Sequence, residues 1–186
     1  MNRNVVNQIL SHCTRMFRCE GDLYQTEEAD VLLAVFPATR KRGWWTYVTL
    51  ELHRTGKTEC AMYSYRFEPR LIPILGHAAR QVQKRWEQKG LPLQSGDVIP
   101  LCGPVAKGSQ LNKGLVTPAY FEEEDFACFT NGSDVVHMMM IHAIAEAEAE
   151  FLAREGLEAL EAVFRLAQVD SLDFARSPAI QEGEGA

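Results

Sequence analysis

The feature that most constrains the fold is a segment that is apolar at odd and even positions alike. Every residue from Val135 to Ile141 is apolar except His137. Side chains of a β-strand point alternately to its two faces, so a strand of this composition has to be covered on both. Such strands lie at the centre of a sheet with cover on both sides. The segment therefore predicts a central strand over residues 134–141, forming a hairpin with residues 126–130 through Asn131-Gly132.

Apolar residues at helical spacing predict four helices, and short β-branched or aromatic runs predict further strands. The helices are expected at residues 5–17, 73–89, 144–152 and 157–167, with Gly90 and Pro92 stopping the second and Gly156 separating the last two. The strands are expected at residues 31–36, 44–52, 58–67, 97–101 and 114–119.

This order of elements is typical of an α+β fold with a mixed, largely antiparallel sheet packed between helices. At 186 residues we expect a single domain. Residues 1–29 are interpreted as an N-terminal amphipathic helix and connection within that domain, and residues 30–178 as its body. Residues 179–186 are expected to be a frayed tail.

Composition excludes several classes of protein. No stretch approaches about 18 consecutive apolar residues, which argues against a membrane helix. The first residues lack the apolar core of a secretory signal, so we expect a cytoplasmic protein. Five cysteines without a C-x-x-C pair indicate reduced, mostly buried side chains, and no pattern indicates a cofactor or a metal.

Charge is distributed unevenly along the chain. Residues 1–90 carry 14 Lys/Arg and 9 Asp/Glu, whereas residues 91–186 carry 5 and 16, so a half of charge +5 precedes a half of charge −11. In a single domain the two halves are faces of one body. We therefore expect part of this charge to be neutralised within the fold, leaving the surplus of −6 to attract a partner.

Two sets of residues suggest a catalytic alternative. Asp134 with His137 is the nearest approach to a hydrolase-type acid–base pair, and His142 follows on the same strand. Odd spacing along a strand puts residues on opposite faces, so His137 and His142 are not expected to converge. His12 beside Cys13 suggests an activated thiolate, but Cys13 lies on an apolar stripe, where burial raises the pKa of a thiol.

A nucleic-acid-binding alternative rests on the basic loop Arg40–Arg42 beside Trp44 and Trp45. These residues combine phosphate-binding charge with rings on which bases can stack. The chain is acidic overall, however, and both tryptophans also suit a core. We therefore expect nucleic acid to be a less favoured partner than protein.

Several phrases of the sequence, in order, resemble one family. They are Thr46-Tyr47-Val48-Thr49, Gly96-Asp97-Val98-Ile99, Leu115-Val116-Thr117-Pro118, Glu146-Ala147-Glu148, Glu155-Gly156 with Leu160, and Asp173 with Arg176-Ser177. Together they are similar to the suppressor-of-fused (SUFU) domain over residues 30–178. Within these phrases we interpret Tyr47, Thr49, Asp97, Pro118, Gly156, Asp173 and Arg176 as structural residues of the family pattern.

The resemblance implies a non-enzymatic protein-binding domain. Animal relatives hold a zinc-finger transcription factor in an inactive complex, and bacterial relatives are proposed as immunity proteins that neutralise toxins. Because this chain has a single domain, the resemblance favours the bacterial type, which would cover the functional surface of a partner.

The acidic residues are the candidate partner-binding site. They are Glu122, Glu123, Glu124 and Asp125 in a loop, and Glu146, Glu150 and Glu158 on the last two helices. One interpretation is that they are simply solvated loop and helix surfaces. The other, which the resemblance supports, is that they recognise a basic toxin or regulatory protein, since opposite charge accelerates association.

Overall fold

The computed structural model of the chain describes residues 3–26, 31–131 and 134–181. In that part of the chain the helices are α1 (Arg3–Phe17), α2 (Leu71–Lys89), α3 (Glu146–Glu155) and α4 (Leu157–Leu166). Short 3-10 helices lie at Leu52–Arg54 and Glu124–Phe126. The four predicted helices are thus confirmed. Gly90 ends α2 with a φ of 62°, a conformation that glycine adopts without steric cost.

Eight strands form one sheet. They are β1 (Asp22–Gln25), β2 (Leu32–Phe36), β3 (Trp45–Thr49), β4 (Thr58–Ser64), β5 (Val98–Pro100), β6 (Leu111–Pro118), β7 (Cys128–Asn131) and β8 (Asp134–Ala145). Their order is β1-β2-β3-β4-β8-β6-β5, with β7 pairing β8. Among these pairings only β4 with β8 is parallel. The predicted single α+β domain with a mixed, largely antiparallel sheet is confirmed.

The strand predicted from the apolar segment is β8, and it is central. It has β4 on one side and both β6 and β7 on the other. Ile141 packs in the core beneath α2, whereas Met138 and Met140 pack with Ile9 and Phe17 of α1 on the opposite face. Helices therefore cover both faces of β8, as its composition requires.

The last two helices lie over one end of the sheet. Leu152 of α3 and Leu160 of α4 pack on Leu115 of β6 and Ile144 of β8 in a small third cluster. Gly156 joins the two helices with a φ of 89°. This arrangement places the acids of α3 and α4 on the outer surface of the domain, except Glu148, which is buried.

The segment after α4 returns to the middle of the sheet. Leu172 packs in the core on the α1 side, whereas Phe174 packs in the core on the α2 side. β4 and β8 pair only as far as Ala61 and Met140. Beyond that point, the C-terminal segment lies beside β8, where Arg176 donates to the carbonyl of Ala143.

Some predictions differ from the structure. β1 was not predicted, and β8 continues to Ala145 rather than ending at Ile141. The expectation of mostly buried cysteines is wrong, because only Cys13 and Cys60 are buried while Cys102 and Cys128 are exposed. Four segments lie outside the described residues: 1–2, 27–30, 132–133 and 182–186. They include Gly132 of the predicted turn and most of the predicted tail.

Candidate partner-binding site

The acidic loop after β6 contains one buried carboxylate. The side chain of Glu122 is only 8% exposed, and it accepts a hydrogen bond of 2.7 Å from Arg42. The same guanidinium donates to Thr46 and lies 3.9 Å from the centre of the Phe17 ring. Glu122 therefore joins the loop to α1 and β3. Because this carboxylate is already paired within the fold, Glu122 differs from the other predicted partner-binding residues of the loop.

The other loop acids line a groove. Glu123, Glu124 and Asp125 border a groove of about 980 Å³ between the loop, α1 and β7. Glu123 pairs with Lys41 at 3.2 Å, but both side chains are more than two-thirds exposed, so the pair contributes little to stability. Glu124 and Asp125 are exposed and form no ion pair with another residue that the structure describes. Their charges are available to a partner.

The opposite wall of the groove is basic. Arg15 of α1 and Arg18, which directly follows α1, line it. His12 lies between them and the loop, stacked at 5.9 Å and 5.4 Å between the rings of Phe126 and Phe129. Burial lowers the pKa of His12, so the ring is neutral at neutral pH. A partner in this groove would meet negative charge on one wall and positive charge on the other.

The predicted acids of α3 and α4 lie elsewhere. Glu146 pairs with Lys113 at 3.0 Å, and Glu150 and Glu158 are exposed. None of the three lines the groove. The structure thus divides the predicted acids between the groove and the two outer helices.

Glu148, in the acidic second half of the chain, is a carboxylate with four hydrogen bonds to described residues, and it was not among the predicted site residues. It is fully buried and accepts two hydrogen bonds from Arg176, at 2.8 Å and 2.9 Å. It also accepts from the backbone N–H groups of Ala145 and Ala179, both at 2.8 Å. Glu148 therefore caps α3 and holds the C-terminal segment against the sheet. In the sequence, a glutamate at the third position of a helix is the signal for such a cap.

A further buried carboxylate, Glu59, holds the β3–β4 connection. Glu59 is fully buried and lies 2.7 Å from Nδ1 of His53. It also accepts from the Thr49 hydroxyl and from the N–H groups of Leu52 and His53. The sequence gives no local signal for this cluster, because Glu59 stands in a strand without a motif. Its contacts position the backbone.

The predicted hydrolase pair of Asp134 and His137 lies only partly within the described residues. His137 is exposed, and no carboxylate of a described residue lines the concavity beside it. The side chain of Asp134 lies outside the described residues. His142 is buried on β8 beside Thr117, and burial together with the charge of Arg176 lowers its pKa to about 3.

The residues predicted to form a nucleic-acid-binding surface do not lie together. Arg42 is buried against Glu122, as described above. Trp44 packs on Phe121 in the core on the α1 side, whereas Trp45 packs on Phe67 on the α2 side. The two tryptophans therefore point to opposite faces of the sheet and do not form one stacking surface.

Two further properties concern the described part of the chain. No group of three or more His, Cys, Asp or Glu residues there is arranged to hold a metal ion. No helix there combines the length and apolar character needed to cross a bilayer.

Cys13, beside His12, is fully buried, and this burial raises the pKa of its thiol.

Comparison with known proteins decides the family. A family model described as suppressor of fused protein (SUFU) matches residues 25–177. The chain belongs to the SUFU family. No curated protein matches it.

Solved structures share the SUFU fold over nearly the whole chain. A SUFU homolog from Neisseria gonorrhoeae FA 1090 matches with a TM-score of 0.81 and 19% identity, covering 98% of this chain and all of that one. Sufu in the Sufu–Fu complex matches with a TM-score of 0.65 and 15% identity over 94% of this chain and 92% of that one. Drosophila Suppressor of Fused matches with a TM-score of 0.59 and 15% identity, covering 84% of this chain and 46% of that one.

Several residues predicted above to be structural contact the backbone in this structure. Tyr47 accepts from the N–H of Glu68 at 2.6 Å, and Thr49 accepts from that of Cys60 at 2.8 Å. Asp97 and Asp173 accept backbone N–H groups within their own turns. Arg176 binds Glu148, Gly156 joins two helices, and Pro118 ends β6.

Proposed function

We propose that this SUFU-family chain is a non-enzymatic, protein-binding domain that inhibits a partner protein by covering its functional surface. Membership of the family is the observation that carries the proposal. Among the similar structures, the Sufu–Fu complex is one in which the relative is bound to a protein. The burial of His142 and Cys13 supports a non-catalytic role, because a substrate at the surface cannot contact either side chain.

We further propose that the partner is a basic protein and that the role is of the bacterial immunity type. The similarity to a bacterial homolog over the full length of both chains supports this choice. The surplus charge of −6 supports a basic partner. Acidic residues would steer the encounter, and the folded domain would then exclude substrate from the partner.

Within the groove, Glu124 and Asp125 are the proposed contacts, because they are exposed and lack ion-pair partners among the described residues. Glu123 becomes available when a partner displaces Lys41, since an exposed pair contributes at most about 1 kcal/mol. Arg15 and Arg18 would orient the partner through an acid of its own. Glu146, Glu150 and Glu158 are proposed as a separate acidic surface that adds long-range attraction.

The test is capture of the partner with two baits. Immobilised wild-type protein and the variant E124K/D125K are incubated with lysate of the native host, and proteins held only by the wild type are identified by mass spectrometry. We expect one or a few basic proteins. Their affinity should fall by at least tenfold between about 50 mM and about 300 mM NaCl, since exposed charge pairs are screened by salt.

Two matched variants make the test specific. E20K/D22K reverses the same number of exposed acids outside the groove and should capture the partner like the wild type. E150K/E158K tests the outer helices and should slow association without preventing capture. A partner that is captured equally by all baits, or whose affinity is indifferent to salt, would contradict the proposed contacts.

A further inference from the structure

Two concavities flank residues 91–95, the segment that leads from α2 towards β5. One, of about 320 Å³, lies between the second half of α2 and β5, which is an edge strand of the sheet. The other, of about 610 Å³, lies between this segment, the start of β4 and the first part of β8. Leu93 lines both, so the two concavities are neighbours, and we call them together the α2–β5 surface.

The ionisable residues of the α2–β5 surface all have basic side chains. Lys84, Arg85 and Lys89 line the smaller concavity, and Lys57 and His137 line the larger one. No acidic residue of the described chain lines either. In a protein with a net charge of −6, this is a local field of the opposite sign.

Two of these charges are not neutralised within the fold. Arg85 is held by Asp97 at 2.9 Å, which ties α2 to the start of β5. Lys84 and Lys89, by contrast, are exposed and form no ion pair with another described residue. Glu87 on the same helix lies 3.7 Å from Arg80 instead. The two lysines therefore present uncompensated positive charge at the rim.

The same surface exposes large apolar side chains. Trp86, Leu91, Val98 and Val135 are 36%, 47%, 37% and 37% exposed. Trp86 and Pro92 both approach Gly56 so closely that a Cβ atom there would lie 3.4 Å and 3.2 Å from them. Clustered exposed apolar groups with a polar rim are typical of interaction sites.

We propose that the α2–β5 surface docks an acidic, amphipathic peptide segment of a partner protein. Apolar side chains of the segment enter the two concavities, and its carboxylates pair with Lys84 and Lys89. This surface shares no lining residue with the groove of Glu124 and Asp125. The inference goes beyond the proposed function and does not depend on it.

The chemistry of the surface favours a peptide over a nucleic acid. Single-stranded nucleic acids bind where several aromatic rings follow a basic track. Apart from the imidazole of His137, Trp86 beside Gly56 is the one aromatic ring that the described residues expose at this surface. Both concavities combine aliphatic side chains, such as Leu93, Val98 and Val135, with polar ones, a mixture that complements an amphipathic peptide.

The test uses a phage-displayed library of random peptides of about 16 residues, which reach about 50 Å when extended. The library is panned on the intact protein, and enriched peptides are synthesised and titrated by fluorescence anisotropy. We expect enriched sequences to combine Asp and Glu with Leu, Phe or Trp. K84E/K89E should weaken the best peptide about tenfold or more, and W86A should weaken it by a similar factor.

The matched control is R66E/R70E, which reverses two exposed arginines beside the opposite end of α2. It should change the affinity less than twofold, and circular dichroism should show all variants folded. Four outcomes would overturn the inference: no enrichment, enrichment of basic peptides, peptides insensitive to K84E/K89E, or K84E/K89E-sensitive binding of a single-stranded DNA or anionic vesicles in place of peptide.

Discussion

Glu148 and Glu124 belong to the same acidic half of the chain, but their surroundings are opposite. Glu148 is fully buried and accepts hydrogen bonds from Arg176 and two backbone N–H groups. Glu124 is exposed at the edge of a groove and forms no ion pair within the described chain. The difference shows that an acid-rich sequence does not by itself define an acidic surface, because hydrogen-bond donors within the fold bind some of the carboxylates.

The loop after β6 repeats this contrast within four residues. Glu122 is buried against Arg42, whereas Asp125 is exposed. Together with the pair Lys41–Glu123, the contact with Arg42 joins the basic first half of the chain to the acidic second half. Part of the charge that divides the sequence is thus neutralised inside the domain.

The largest effect is expected for Glu148. E148Q leaves Arg176 buried with a neutral partner, and we expect a loss of about 3–5 kcal/mol in the free energy of unfolding. Urea denaturation of the full chain measures it. E146Q, which affects only a half-exposed pair with Lys113, should lose less than about 1 kcal/mol. Equal losses in the two variants would erase the distinction between buried and exposed acids.

The next largest loss of stability is expected when Arg42 is replaced. R42M keeps an apolar stem near Phe17 but leaves the Glu122 carboxylate buried without its partner, so we expect a loss of about 2–3 kcal/mol. K41M is the matched control, since the pair of Lys41 with Glu123 is exposed. A similar, small change in both variants would show that Glu122 is accessible to solvent after all.

His142 links this comparison to pH. Burial lowers its pKa to about 3 in the folded protein, whereas an unfolded histidine has a pKa of about 6.5. Between these values only the unfolded chain binds the proton, so stability falls as the pH is lowered. We expect His142 to account for about 2 kcal/mol of the loss between about pH 7 and pH 5. Urea denaturation of H142Q at both pH values should show a correspondingly smaller loss, and an unchanged loss would contradict the assignment.

The smallest effect on stability is expected for the exposed loop acids. E124Q/D125Q removes two carboxylates without ion-pair partners among the described residues, and the free energy of unfolding should change by less than about 0.5 kcal/mol. Thermal and urea denaturation both measure it. A loss comparable with that of E148Q would mean that these acids, too, hold the fold together.

The sequence predicted those parts of the fold that a local pattern determines. The apolar run of β8 predicted a strand covered on both faces, because alternation along a strand leaves no other way to bury it. β1 escaped prediction because only Tyr24 in Asp22–Gln25 is partly buried, so the strand has almost no apolar alternation. It is held mainly by its pairing with β2.

The site was less predictable, because burial of a charge depends on residues far along the chain. Arg42 stands in a basic loop beside tryptophans, and its partner Glu122 is 80 residues away. Arg176 and Glu148 are separated by 28 residues. Composition shows that these charges exist, but only the folded chain shows which of them meet.

The most direct test of the central claim is the affinity of the captured partner for wild type, E124K/D125K and E150K/E158K, measured by titration calorimetry at low salt. We expect E124K/D125K to weaken binding at least tenfold while its free energy of unfolding stays within about 0.5 kcal/mol of the wild type. E150K/E158K should weaken binding only a few-fold. An affinity unchanged in E124K/D125K would contradict the assignment of the groove as the partner-binding site.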